Sequence, residues 1–262
     1  MPVEIHPTAM VHENALLQDG VCVGPHAIVG PDVSIGAGTS LAAFAQVIGH
    51  TEIGRSCQIF SYAVIGSIPQ DLKYKGERSY LKIGDYNRIR EFVTVNPGTE
   101  RDAVTRIGNG NLLMAYSHIA HDCVIGNNNI LANNATLAGY VTIEDKAVIG
   151  GLAAVHQFCR IGAYSIVGGC SKVVQDIPPY SMCDGHPAKV HGLNLVGLRR
   201  ASMPTATVQA LKKAFKILFF EQHSYSQGAK KIRGEGPCVP EVESLLKFVA
   251  ESKRGINKRH AA

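Results

Sequence analysis

The segment His118-Ile119-Ala120-His121-Asp122 sets two imidazoles beside a carboxylate. An imidazole has an ordinary pKa of about 6.5, so it can draw a proton from a hydroxyl or amine, and a neighbouring carboxylate can fix which ring nitrogen carries the hydrogen. Further along come Gly139 and the run Val155-His156-Gln157-Phe158. A glycine there could offer a bare N–H to a developing oxyanion. The rival use of His118, His121 and His156 is as three ligands of a catalytic zinc with an open position. The chain has no Gly-x-x-x-x-Gly-Lys-Ser/Thr loop and no Gly-x-Ser-x-Gly elbow, so phosphoryl transfer and serine hydrolysis are not indicated.

What must position these residues is a repeat. Ile, Leu or Val recurs at every sixth residue from Ile5 to Ile65, resumes at Ile83, Ile89 and Val95, and runs again from Ile107 to Val173. Neither a helical period nor strand alternation produces this spacing; short strands joined by tight corners do. Three hexads closing a triangular coil would stack aliphatics inward at about 4.8 Å per coil, and about nine coils would make a prism roughly 40 Å long. The pattern is that of a parallel β-helix of hexapeptide repeats. Gly126-Asn127-Asn128-Asn129 and Asn133-Asn134 suit its corners, and Cys57, Cys123 and Cys159 fall at small inward positions as core thiols.

In this register Ile119 points inward and His121 sits at the corner two positions later, its ring exposed on a rigid edge. Coil stacking puts His121, Gly139 and Gln157 in one column with His156 beside it. His118 and His121 lie one corner apart while His156 is about two coils away, which argues against a shared metal; no metal and no cofactor are expected.

Two interruptions, Asp71 to Lys82 and Arg101 to Arg106, serve no need of a solenoid, and loops leaving a rigid scaffold often carry function. The repeat ends at Val173-Val174-Gln175-Asp176-Ile177-Pro178-Pro179, where the prolines deny further sheet pairing. Residues 1–179 thus form the β-helix, and 180–262 a small helical domain that could cap its open edge. Val208, Leu211, Phe215, Leu218 and Phe219 share one helical face, and a second helix runs through Val242 to Val249. Gly228, Gly234, Gly236, Pro237 and Pro240 break the stretch between.

The 262 residues are 45% hydrophobic and 18% charged, which excludes a mainly disordered chain. No apolar run reaches the roughly 20 residues of a bilayer span, and MPVEIHPTAM has no leader-like pattern, so the expected compartment is the cytoplasm. Seven cysteines without a C-x-x-C pair fit reduced thiols. The net charge of +5 is segregated: Lys189 to Ala262 holds 14 basic and 5 acidic residues, while 1–188 is net negative. An anionic partner is expected. Nucleic acid is not, because Phe215, Phe219, Phe220 and Phe248 mostly follow apolar helix faces instead of forming a stacking platform.

With these residues in view, nearly the whole chain resembles the UDP-N-acetylglucosamine O-acyltransferase family that begins lipid A synthesis. The carriers are Gln70-Asp71-Leu72-Lys73-Tyr74, the His118 to Asp122 segment, Asn133-Asn134-Ala135-Thr136-Leu137-Ala138-Gly139, Val155 to Phe158, and Gly192-Leu193-Asn194 with Arg199-Arg200. The resemblance implies a left-handed β-helix, a homotrimer with active sites between subunits, and transfer of a fatty acyl group, usually 3-hydroxylated, from acyl carrier protein to the glucosamine 3-position of the UDP-sugar. It also implies the roles. His121 is the base, Asp122 its orienting partner, and Gly139 N–H the oxyanion donor. Gln70, Asp71, Lys73, His118, His156 and Gln157 contact substrates, Asn194 and Arg200 hold UDP, and Gly169 limits acyl length. Departures from the family pattern are Asn96, Tyr140 and Ala201. Some relatives acylate a 3-amino analogue of the sugar, and a related hexapeptide N-acyltransferase acts later in the same pathway.

Overall fold

The hexads fold into strands of mostly two residues, each followed by a corner, and successive strands fall in turn on three sheets of 11, 9 and 8 strands. The computed structural model describes residues 2–222, 224–234 and 239–256. Strands pair in parallel with the coil above, as in Ile5 with Val23 and Ile119 with Leu137. A parallel β-helix results. The first sheet begins at Glu4–Ile5, the second at Met10–Val11 and the third at Leu16–Leu17.

The inward aliphatics are almost wholly buried: Ile59, Ile89, Ile119, Leu137 and Ile149 are at most 1% exposed. Burying each contributes about 1.5–3 kcal/mol relative to leaving it in water. Cys57, Cys123 and Cys159 lie in this core, and burial above all holds their thiols protonated, that of Cys123 pushed up to about 12 and that of Cys159 to about 11.

Most corners turn through a left-handed residue three positions after the inward aliphatic. Asn128 and Asn134 serve as expected, but Phe44, Tyr62, Phe92 and Leu152 occupy the same conformation, with φ of 56–62°. Such residues resist it by roughly 1–2 kcal/mol. Stacking offsets part of that cost along one edge, where the rings of His26, Phe44, Tyr62, Phe92 and Tyr116 form a ladder with centroids 4.8–5.1 Å apart.

Both interruptions leave the prism between strands, but they end earlier than the hexad register suggests. Tyr80–Ile83 pairs with His50–Ile53 on one side and Val104–Ile107 on the other, so Lys82 and Arg106 lie in strands. Leu81 and Thr105 are buried on the inner side of these longer strands, which pulls the chain back into the sheet sooner.

Pairing also continues past Pro179. Ser181–Gly185 extends the first sheet in parallel, and Ala188–Leu193 closes its edge antiparallel. The helices are α1 (Leu195–Arg200), α2 (Thr205–Phe215, continuing as a π turn over Lys216–Phe220), α3 (Tyr225–Gly234) and α4 (Pro240–Glu251). The stretch expected to be broken at Gly228 is therefore helical. Gly228 is buried where α3 meets the π turn, and a Cβ there would stand 3.2 Å from Leu218 Cδ2. Gly236 and Pro237 lie outside the described residues. After α4 the chain returns to the last coil: Ser252 Oγ donates to Asp176 at 2.7 Å, Asp176 N–H donates to Gly255 O, and the Arg160 guanidinium lies over the Phe248 ring.

Candidate active site

His121 and Asp122 occupy the corner between the second and third sheets, held on both sides by strands His118–Ile119 and Val124–Ile125. Asp122 takes the left-handed corner conformation, φ 59°, which swings its carboxylate back toward the preceding imidazole. His121 Nδ1 lies 2.8 Å from Asp122 Oδ2. The ring is 7% exposed, not standing free as the corner position suggests. The first interruption covers it: Asp71 Oδ2 is 3.6 Å from His121 Nε2, and Tyr140 packs edge-on at 5.4 Å.

The column expected from coil stacking is present. Tyr140 N–H donates to His121 O and Phe158 N–H to Gly139 O, so His121, Gly139 and Gln157 stand one above another. The imidazole lies against Gly139 closely enough that any Cβ there would fall 2.5 Å from Nε2. Gly139 N–H has no partner among the described residues and remains available to an incoming group.

His118 lies on the outer face of the second sheet, its Nδ1 2.7 Å from Thr94 Oγ1. Burial first, and the neighbouring His121 second, lower its pKa below the ordinary value and favour its neutral form. His156 is exposed, its Nδ1 donating to Gln157 O at 3.1 Å. Among the described residues, no three His, Cys, Asp or Glu side chains group to hold a metal ion.

The remaining residues are spread over other edges. Gln70 and Lys73 are exposed in the first interruption, where Lys73 N–H donates to Asp71 Oδ1. Gly169 stands on the opposite edge of the second sheet, between Ile166–Val167 and Lys172–Val173. Asn194 caps α1 by accepting from Gly197 N–H and donates to Tyr164 O, which places it at the third edge, and Arg200 is exposed at the end of that helix. One chain therefore brings together His121, Asp122, Gly139 and Asp71, with His118 adjoining, but not Gly169, Asn194 or Arg200.

Sequence reasoning passed over Thr94, Thr99 and Thr105. Thr99 donates to the Asp122 carboxylate, and Thr105 Oγ1 accepts the Asp122 N–H at 2.8 Å. Threonines carry no spacing signature, and the one available hint was that Thr99 adjoins the second interruption. Asn96, expected to be a departure from the family pattern, is buried and donates to Ser67 O and Ile68 O, tying the roots of the two interruptions together.

A coiled stack of hexapeptides carrying a corner His–Asp pair defines a hexapeptide transferase, and residues 105–139 match the bacterial transferase hexapeptide model. Residues 176–257 match the second domain of UDP-N-acetylglucosamine O-acyltransferase. The acyl-[acyl-carrier-protein]–UDP-N-acetylglucosamine O-acyltransferase of Nautilia profundicola is 49% identical over 78% of this chain and 79% of its own length. That of a Sulfurovum species is 52% identical over 76% of each. The solved UDP-N-acetylglucosamine acyltransferase of Campylobacter jejuni superposes with a TM-score of 0.93 at 41% identity, covering 98% of this chain and 100% of that one. The chain belongs to the UDP-N-acetylglucosamine O-acyltransferase family.

Proposed function

We propose that this protein moves a 3-hydroxyacyl group from an acyl carrier protein thioester to the glucosamine 3-hydroxyl of UDP-N-acetylglucosamine, the first step of lipid A biosynthesis. The family membership supports the reaction, and one observation carries the mechanism: the 2.8 Å contact of His121 Nδ1 with Asp122. With Nδ1–H given to the carboxylate, Nε2 keeps its lone pair and takes the proton of the sugar hydroxyl. The oxygen adds to the thioester carbonyl, and Gly139 N–H stabilises the oxyanion. Collapse expels the carrier thiolate, which takes the sugar's proton from the imidazolium to leave as the thiol, so charge and atoms balance.

Gln70, Asp71, Lys73, His118, His156 and Gln157 contact the substrates in this reading, Asn194 and Arg200 hold the uridine diphosphate, and Gly169 lines the end of the acyl path. These residues occupy three different edges of one prism, which supports a homotrimer in which neighbouring chains complete each site. The +9 segment suits acidic carrier protein and anionic nucleotide. The β-helix is left-handed in this reading, on the strength of the family. Residues 1–179 serve as its acyltransferase domain and 180–262 as the C-terminal unit. Six free thiols among the described residues suit a reducing compartment, the cytoplasm. No helix among the described residues is long and apolar enough to cross a membrane.

The test is acyl transfer by the purified protein from 3-hydroxyacyl carrier proteins of several lengths, with UDP-N-acetylglucosamine and its 3-amino analogue offered side by side. Ester formation is expected, and His121→Ala should lower turnover by roughly two to four orders of magnitude. Transfer to the amino sugar alone would make the protein an amide-forming relative. Transfer to neither would overturn the assignment, and full activity of His121→Ala would overturn the mechanism.

A further inference from the structure

At the second interruption two threonines meet Asp122: Thr105 accepts its N–H, and Thr99, just before the interruption, reaches its carboxylate. Thr99 is 8% exposed and approaches Asp122 with two donors at once: Oγ1 at 2.7 Å and backbone N at 3.2 Å from Oδ2. His121 Nδ1 approaches the same oxygen at 2.8 Å. On the far side, the Tyr140 hydroxyl is 3.3 Å from Thr99 Oγ1.

Proton counting sets the direction of every bond. An ionised carboxylate only accepts, so Thr99 must spend its single O–H hydrogen on Asp122, and Tyr140 O–H then donates to the Thr99 oxygen. By the same rule the His121 nitrogen facing Asp122 carries a hydrogen. The loop is built for this approach. Gly98 passes so near Ala103 that a Cβ would lie 2.7 Å from the Ala103 methyl, and Gly98 N–H and Asp102 N–H donate to Tyr80 O and Arg78 O, bracing one interruption on the other.

We propose that Thr99 is a positioning residue of the acyl transfer reaction: it holds the Asp122 carboxylate so that His121 stays in the Nδ1–H tautomer with its Nε2 lone pair toward the acceptor. Thr99 bonds the Asp122 carboxylate and not the His121 ring, and so acts through Asp122. Its kinetic consequence rests on the His–Asp mechanism above, whereas its tautomeric consequence does not.

The experiment compares full-length wild type with Thr99→Val, Thr99→Ser, Asp122→Asn and the Thr99→Val/Asp122→Asn double variant. Thr99→Val keeps shape and backbone N–H but loses the hydroxyl, and kcat should fall about ten-fold while KM for the UDP-sugar stays within about two-fold. Thr99→Ser should recover most of the loss. In the Asp122→Asn background Thr99→Val should cost less than about two-fold more, because the partner it acts through is already gone. Nitrogen-15 spectra of the histidines in wild type should show His121 as the Nδ1–H tautomer, and this reading holds even if Thr99→Val folds poorly. Unchanged kcat in Thr99→Val, an equal loss in both backgrounds, no recovery by Thr99→Ser, or an Nε2–H tautomer in wild type would each overturn the proposal. Absence of acyl transfer by wild type, or full activity of His121→Ala, would instead overturn the reading of the reaction, with the His121 tautomer compared between wild type and Thr99→Val still reporting on Thr99.

Discussion

The imidazole of His121 rests on the bare Cα of Gly139, one coil further along the prism, so closely that no side chain fits between them. The N–H of the same glycine has no partner among the described residues. Gly139→Ala should therefore push the imidazole from its place while the surrounding coils, held by strands on either side, stay folded. Turnover is expected to drop by about two orders of magnitude or more with a near-native circular dichroism spectrum. Retention of most activity would show that the ring has room to shift without leaving its working position.

Gly169 lies at a corner where an added Cβ would meet the Gly151 backbone, its O at 3.2 Å and its N at 4.0 Å. A long side chain there points outward and does not disturb the core. Gly169→Met should leave the melting temperature nearly unchanged and move the preferred acyl carrier protein substrate toward shorter chains. Competition between carrier proteins of different chain length measures this, and an unaltered preference would remove Gly169 from the acyl path.

His118 provides a pH signature of folding. Burial and the neighbouring His121 lower its pKa in the folded state below the value of 6.5 expected when unfolded. The unfolded chain therefore binds more protons in the window between the two values, and stability falls as pH drops through about 6.5 toward the folded pKa. Urea midpoints measured at pH 8 and pH 5.5 should fall further for wild type than for His118→Gln. Equal falls would mean that His118 is as well solvated folded as unfolded.

Asn194 holds α1 to the prism through two bonds, accepting from Gly197 N–H and donating to Tyr164 O. Loss of a cap costs about 1 kcal/mol, which in a protein of this size corresponds to a fall in Tm of roughly 2–4 °C. Asn194→Ala should show that fall in a thermal melt, together with a raised KM for the UDP-sugar if the amide also meets the nucleotide. An unchanged Tm would show that burial of Leu198 and the backbone bond from residue 194 N–H to Tyr180 O suffice to anchor α1.

Much of this architecture was legible in the sequence because a solenoid repeats one local solution. An aliphatic every sixth residue fixes the inward face, the strand length and the stacking of coils, so the column of His121, Gly139 and Gln157 followed from counting. The switch to helical spacing after the prolines was equally local. The boundaries were less legible. Tyr80 to Lys82 and Val104 to Arg106 read as interruption but form strands, because burial of Leu81 and Thr105 depends on neighbours in other coils. Gly228 read as a break but is a contact point between α3 and the π turn.

The sequence by itself thus determined the parallel coil, the corner placing of His121 and Asp122, and their family, since each rests on residues near in the chain or a fixed number of hexads apart. Only the tertiary structure decided how those residues are surrounded. Asp71 covers Nε2 from a loop fifty residues upstream. Thr99 grips the carboxylate from beside the second interruption, and Asn96 ties the root of that loop to the first. The physical reason is that excursions from a solenoid obey no period. Where they land is set by the hydrogen bonds and packing they find on the finished prism, and no spacing along the chain encodes those partners.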